Sequence, residues 1–275
     1  MRFEATPVLL TRELHESIRH SEIAGIRSGI ETARRLRPDV RAASIDVAGG
    51  LAAFFGSESQ LSEAFGVGTL APVTPDQIGT ITEFYEARGA TPRVFVSPLA
   101  HSTLTSGLAA AGYAPTEYEN VLAAEDFKSH ARRDDRIRVA ADVHEWARAS
   151  TAAFVDGPSN EPDDEFVALL IASSDGVCAL EAVENGAIAA TAAMDFRGEW
   201  SALFAASTAP EFRRRGWQIA MIADRMARAR EAGARFLRGT ARPASSSERN
   251  FHRCGFVTLY TRALWERKPR RDEGT

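Results

Sequence analysis

Residues 208–219 read Thr208-Ala-Pro-Glu-Phe-Arg213-Arg214-Arg215-Gly216-Trp217-Gln218-Ile219. Before them, Trp200–Thr208 is a largely apolar run suited to a β-strand. After them, Ile219, Ile222, Met226 and Ala229 recur at helical spacing, predicting a helix over about Gln218–Ala232 that lays one face on a sheet. A basic, glycine-containing turn entering a helix leaves several backbone N–H groups at the positive end of the helix dipole, a natural seat for phosphate oxygens. Gly216 lets the backbone curve closely around such a ligand, and Arg213, Arg214 and Arg215 can add charge-assisted contacts. In an arginine-rich chain the same turn could also be a solvated basic loop, so its neighbours decide its meaning.

Downstream, Glu231-Ala232-Gly233 closes the helix. Arg235–Thr240 reads as a strand, Ser245–Cys254 as a short helix and Phe256–Trp265 as a last strand, before the charged stretch Glu266–Thr275. Upstream, Ile137–Ala140 begins a strand and Ala141–Phe154 a helix, and Gly157–Asp164 reads as a polar loop. Phe166–Ser173, Val177–Val183 and Ala187–Phe196 read as short strands. Asn185-Gly186 and Arg197-Gly198-Glu199 supply tight turns.

The first half carries a helix, or two, over Thr11–Leu36, a strand at Ala42–Val47, a capped helix over Thr74–Arg88, a strand at Arg93–Val96 and a helix over His101–Ala111. Its most conspicuous polar site is His101 within Ser97–Thr103, a segment that Ser97 or Ser102 could cap. Gly89, followed by a strand, a Ser/Pro turn, a short helix and Gly112-Tyr113, is echoed by Gly233, a strand, a Pro/Ser turn, a short helix and Gly255-Phe256. Two halves of related topology, 1–130 and 131–275, account for both the echo and the chain length.

The 275 residues contain 33 Lys+Arg and 37 Asp+Glu, a formal charge of -4, with 44% hydrophobic residues. An acidic total argues against a nucleic-acid binder. No run of 18 apolar residues offers a membrane span, and the N-terminus lacks a secretory signal pattern. Cys178 and Cys254 are too few for a disulfide framework and lack partners for a metal site, so a cytoplasmic protein without metal is expected.

The motif at 208–219, supported by Ser245-Ser-Ser-Glu-Arg-Asn-Phe-His-Arg-Cys-Gly-Phe256, resembles that of the GCN5-related N-acetyltransferases (GNAT). The resemblance covers roughly residues 134–266, with the N-terminal half as a diverged second copy lacking an equivalent phosphate turn. It implies an α/β fold with a mixed sheet, in a tandem arrangement, and acetyl-CoA as cosubstrate. The pyrophosphate would lie on the N–H groups of Arg214–Ile219, including Trp217 and Gln218, and the pantetheine arm along the strand edge at Ala206, Ser207 and Thr208. The acceptor would be a primary amine of a small molecule or peptide, and the protein a monomer or homodimer.

Two positions depart from the family pattern. Gln218 stands where a small residue is usual, and could crowd the pyrophosphate or bond to it. Phe251 stands where many members place a tyrosine that protonates the departing thiolate. His252 and Cys254 are nearby candidates for an acid; Ser245, Ser246 and Ser247 are candidates for capping the helix or touching the pantetheine arm. Glu181, Glu184, Asp195 and Glu199 are candidate bases, with no catalytic residue singled out. An acyl-CoA-binding module with little or no turnover is the alternative, and an unrelated nucleotide-phosphate binder is disfavoured by the missing GxxxxGK[ST].

Overall fold

Gly89, Gly112, Gly233 and Gly255 all take left-handed backbone, with φ between 70° and 85°. In each half, then, one such glycine ends a long helix and a second ends a short one. The computed structural model, which describes residues 8–125, 127, 129–154 and 162–267, shows the two halves sharing the order helix, three strands, helix, strand, helix, strand, with one further strand and one further helix at the start of the second. The first half runs α1 (Arg12–Leu36), β1 (Ala43–Val47), β2 (Gly50–Phe54), β3 (Ala64–Phe65), α2 (Pro75–Glu86), β4 (Arg93–Val96), α3 (Ser102–Ala110) and β5 (Tyr113–Ala124). The second runs β6 (Ile137–Val139), α4 (Val143–Phe154), α5 (Pro162–Ser173), β7 (Val177–Glu184), β8 (Ala187–Arg197), β9 (Trp200–Thr208), α6 (Trp217–Glu231), β10 (Phe236–Ala241), α7 (Ser246–Arg253) and β11 (Val257–Arg267).

These strands form one mixed sheet in the order β1-β2-β3-β4-β11-β5-β10-β9-β8-β7-β6. The two halves exchange their last strands. β5 pairs antiparallel with β10 of the second half, β11 pairs antiparallel with β4 of the first, and β5 and β11 pair with each other at the centre. Side chains alternate across the sheet, and the packing follows: Leu237 and Ala241 of β10 join the core beneath α6 and α7, whereas Phe236 stacks on Trp200 on the opposite face, beside Ile18 of α1. Helices α1, α4 and α5 cover that second face. Asp224, fully buried on α6, accepts from Arg133, Arg228 and the Asp134 amide, tying the connection between halves onto the helix.

Several expectations need correction. Phe166–Ser173 is not a strand but part of helix α5. Phe166 and Leu170 pack against the cluster under α1, while Ala168 and Ala172 pack with Trp146 of α4, so this helix is covered on several sides and shows no amphipathic stripe. Of the polar loop expected over Gly157–Asp164, residues 157–161 lie outside the described set, and 162–164 open α5. Most of the charged stretch over 266–275 also lies outside it; Glu266 and Arg267 end β11. Strands β2, β3 and β5 carried no strand expectation; β5 contains Pro115 and a polar first half, and apart from Tyr113 at its start it is buried only from Asn120 onward. His101 itself caps α3, its Nδ1 accepting from the Thr103 amide at 3.2 Å, while Ser97 instead bonds His15 at 2.7 Å. No helix among the described residues is long and apolar enough to cross a membrane.

Candidate functional site

The pairing of β9 with β10 is parallel and stops at Leu203–Gly239. Beyond it the two strands part. A bulge in β9 opposite Ala192, with Ala205 at φ 49°, turns the strand at the same point. Arg225, fully buried on α6, donates to the carbonyls of Ala193 at 3.0 Å and Phe204 at 3.3 Å, occupying acceptors next to the bulge. Desolvation weakens its hold on the proton, and bonds to three carbonyls, Met221 included, keep a guanidinium there.

Where the strands part, a cavity of about 610 Å³ opens between the end of β9, the start of α6 and α7. Ala206, Ser207, Thr208, Arg213, Arg214, Gly216, Trp217, Gln218 and Ile219 line it; Arg215 does not. Gly216 (φ 86°) is the N-cap of α6 without a side-chain acceptor, and Arg214 (φ 63°) is also left-handed. The first helical amide to reach a carbonyl is that of Ala220, on Gly216 at 3.1 Å. The N–H groups ahead of it thus face the cavity mouth without intrahelical partners.

The pseudo-equivalent helix α2 differs at this point. Thr74 accepts from the Gln77 amide, Gln77 returns a bond from its side chain to the Thr74 amide, and Pro75 has no N–H. Apart from the Asp76 N–H, its first turn is satisfied internally and offers no comparable anion seat.

Individual side chains take roles that the motif did not specify. Arg213 donates to the carbonyls of Thr208 and Ala153, bracing the cavity wall. Arg215 turns away to Glu184 at 2.7 Å and stacks over Phe212. The buried Trp217 ring belongs to the core, and its indole N–H donates to the same Glu184 at 2.9 Å. Gln218 lines the cavity wall but is tethered there: its amide donates to the Thr208 hydroxyl at 2.7 Å, bridging α6 and β9. Ser246 and Ser247 line the cavity, joined by Asn250 and Arg253, which the sequence did not flag; the spacing 246, 250, 253 along α7 was the available signal. Ser245 caps α7, accepting from the Glu248 amide at 3.1 Å.

The candidate acids and bases are mostly engaged elsewhere. Phe251 is buried beneath Gly239, where an added Cβ would lie 2.5 Å from its ring, and it packs edge-on against Phe256. His252 is exposed, with Nδ1 3.0 Å from the Phe256 carbonyl. Burial pushes the Cys254 thiol up to about 11, against the pull of Arg225. Glu181 is held by Arg138 at 2.8 Å, Glu184 by Arg215 and Trp217, and Glu199 by Arg235 at 3.7 Å. Asp195 accepts from the Ala202 amide and lines a second cavity, of about 310 Å³. Phe204 and Thr240, from the two sides of the β9–β10 gap, line that second cavity too. It lies on the α1 face of the sheet, opposite α6 and α7.

No family model and no curated protein matches this sequence. Solved structures do resemble it. A GCN5-related N-acetyltransferase from Kribbella flavida aligns at a TM-score of 0.62 and 17% identity, covering 88% of this chain and 96% of that one. A tandem GNAT protein from the clavulanic acid biosynthesis pathway aligns at 0.59 and 11% identity, covering 95% of this chain and 98% of its own. A functionally unknown conserved protein from Staphylococcus epidermidis aligns at 0.58 and 14% identity, over 84% and 96%. At such identities the likeness is one of fold: the chain has the acyl-CoA N-acyltransferase (GNAT) fold in a tandem arrangement.

Proposed function

We propose that this protein transfers an acetyl group from acetyl-CoA to a primary amine of a small molecule or peptide. One observation carries this: β9 and β10 part beside a helix start with unsatisfied N–H groups, and the gap is bordered by a cavity on each face of the sheet. The residues present suit acetyl-CoA. The amides around Gly216 and Trp217 would hold pyrophosphate oxygens, and the edge of β9 at Ala206–Thr208, unpaired on its β10 side, offers the donors and acceptors that two pantetheine amides need. Bound there, acetyl-CoA supplies an activated thioester. Residues 131–275 then form the acetyl-CoA-binding domain, while 1–130 contribute walls to the second cavity, where the amine would lie.

Holding both reactants across one gap supplies much of the rate, because the encounter no longer carries its full entropic cost. Phe251 has no proton to give, so protonation of the leaving thiol comes from another source. The test is calorimetric titration with CoA, followed by assay of free thiol released from acetyl-CoA over an amine panel. CoA binding with amine-dependent thiol release is expected; absence of CoA binding, or competition by ATP in its place, would overturn the proposal. Phe251 and the Gln218–Thr208 bridge favour the alternative of an acyl-CoA-binding module, for which CoA would bind and no amine would release thiol.

A further inference from the structure

The second cavity is built by both halves. Glu63, Phe55 and Phe65 come from the first, Phe204 and Arg238 from the second, with α1 crossing above them. Its lining is chiefly apolar, and it also carries three arginines and three carboxylates. Almost all of these charges are matched. Arg238 and Arg262 both donate to Glu22, at 3.0 and 2.9 Å, and Arg262 also holds Glu119 at 2.7 Å. Although burial opposes it, these two guanidinium groups keep Glu22 below the usual carboxylate range. Arg197 lies 3.5 Å from Asp195 and donates to the Asp175 carbonyl at 2.6 Å.

Glu63 is the exception. It is 9% exposed, borders the cavity, and among the described residues its carboxyl has neither a hydrogen bond nor an ion pair. The nearest cations are committed: Arg93 donates to the carbonyls of Ser59 and Ser62, and Arg262 to Glu22 and Glu119. Removing such a carboxyl from water without a partner is costly, so its retention requires an account. A cation entering the cavity would provide one. Each arginine already pairs with a carboxylate, so a ligand anion meets no uncompensated positive charge, although the Nε–H groups of Arg197 and Arg238 lack hydrogen-bond acceptors and stay open to a ligand oxygen; the space of about 310 Å³ suits a small molecule.

We propose that Glu63 receives the ammonium of a small apolar primary amine in this cavity, so that the N-terminal half sets the class of acceptor. This rests on the acetyl-transfer function proposed above, with Glu63 as a specificity-determining residue. Burial pushes its carboxyl up to about 8, against the pull of Arg93 and Arg262 and with the help of Glu119 and Glu117; Glu22, Asp195, Arg197 and Arg238 face the same space. At pH 7 the empty cavity therefore holds a neutral acid, which gives its proton to solvent as the ammonium arrives.

The test is calorimetry on the full chain at pH 7, without acetyl-CoA, in buffers of different ionisation enthalpy. The probes are 3-methylbutylamine and 2-phenylethylamine, with 3-methylbutanol as a neutral control and leucine as an amine bearing a carboxylate. The amines should bind with release of about one proton. The alcohol and leucine should bind at least about tenfold more weakly, the one lacking the charge and the other adding a second negative charge beside Glu63. Glu63→Gln should abolish proton release and weaken amine binding at least about tenfold, with CoA binding unchanged. Absence of amine binding at millimolar concentration, equal binding of amine and alcohol, or equal binding to wild type and Glu63→Gln would each overturn the proposal. Should the variant fail to fold, the amine–alcohol comparison on wild type decides. A protein that binds amines but not CoA would instead overturn the acetyl-transfer function.

Discussion

Glu63→Gln is expected to stabilise the empty protein, increasingly so at alkaline pH. The carboxyl titrates near 4.5 in the unfolded chain and is pushed up to about 8 by burial in the folded one. Between those values the native state holds a proton that the unfolded state has lost. Stability therefore falls as pH rises from about 4.5 and levels off above about 8. At about 1.4 kcal/mol for each tenfold change in proton affinity, the full cost approaches ~5 kcal/mol, and screening by water entering the cavity brings it to roughly half. Glutamine has the same shape and cannot ionise, so it escapes this cost while keeping an amide where the neutral acid stood. Other titrating groups, Glu22 and His15 among them, are common to both proteins and cancel in the difference. Thermal melts followed by circular dichroism should give nearly equal midpoints at pH 5, with the variant ahead by ~5 °C at pH 8.5. Parallel curves, with a gap that does not change with pH, would refute the assignment of Glu63 as a buried, unmatched carboxyl. A gain in stability coupled to a loss of amine binding is the expected signature of a group retained for its ligand.

Four further outcomes follow from the geometry. Gly216→Ala places a Cβ in open space at φ 86°, so its cost is conformational, about 1–2 kcal/mol in urea unfolding, and CoA affinity should fall as the turn relaxes. Gln218→Ala loses the bond to Thr208 and about 0.5–1.5 kcal/mol of stability while leaving CoA affinity within about tenfold; a larger loss by calorimetry would mean that the amide itself holds phosphate. Arg225→Met leaves the Ala193 and Phe204 carbonyls unsatisfied and should cost more than about 2 kcal/mol by denaturant titration. Cys254 should react with a disulfide reagent at pH 7.5 at least about 100-fold more slowly in the native than in the unfolded protein, because burial holds its thiol near 11.

Much of the phosphate-type turn was legible because it is local. Gly216 in a left-handed cap, the stripe of Ile222 and Met226, and Ser245 as cap of α7 depend on neighbours within a few residues. The fate of Arg215 and Gln218 was not legible, since their partners Glu184 and Thr208 arrive from other elements. Phe166–Ser173 misled for a related reason: a short apolar run covered on several sides carries no period, and its helical state is set by packing among α1, α4 and the sheet.

By itself, then, the sequence determined the order strand, turn, helix, strand, helix, strand, its echo in the first half, and a backbone turn able to seat an anion. Short-range physics suffices for these: glycine's freedom at positive φ, capping side chains and hydrophobic period. The tertiary structure alone decided that β5 and β11 change places, that β9 and β10 part at Leu203–Gly239, and that Glu63 stands unmatched in a cavity shared by both halves. Each depends on strand register and burial between residues distant in sequence, where the energy of a contact exists only once the chain has closed upon itself.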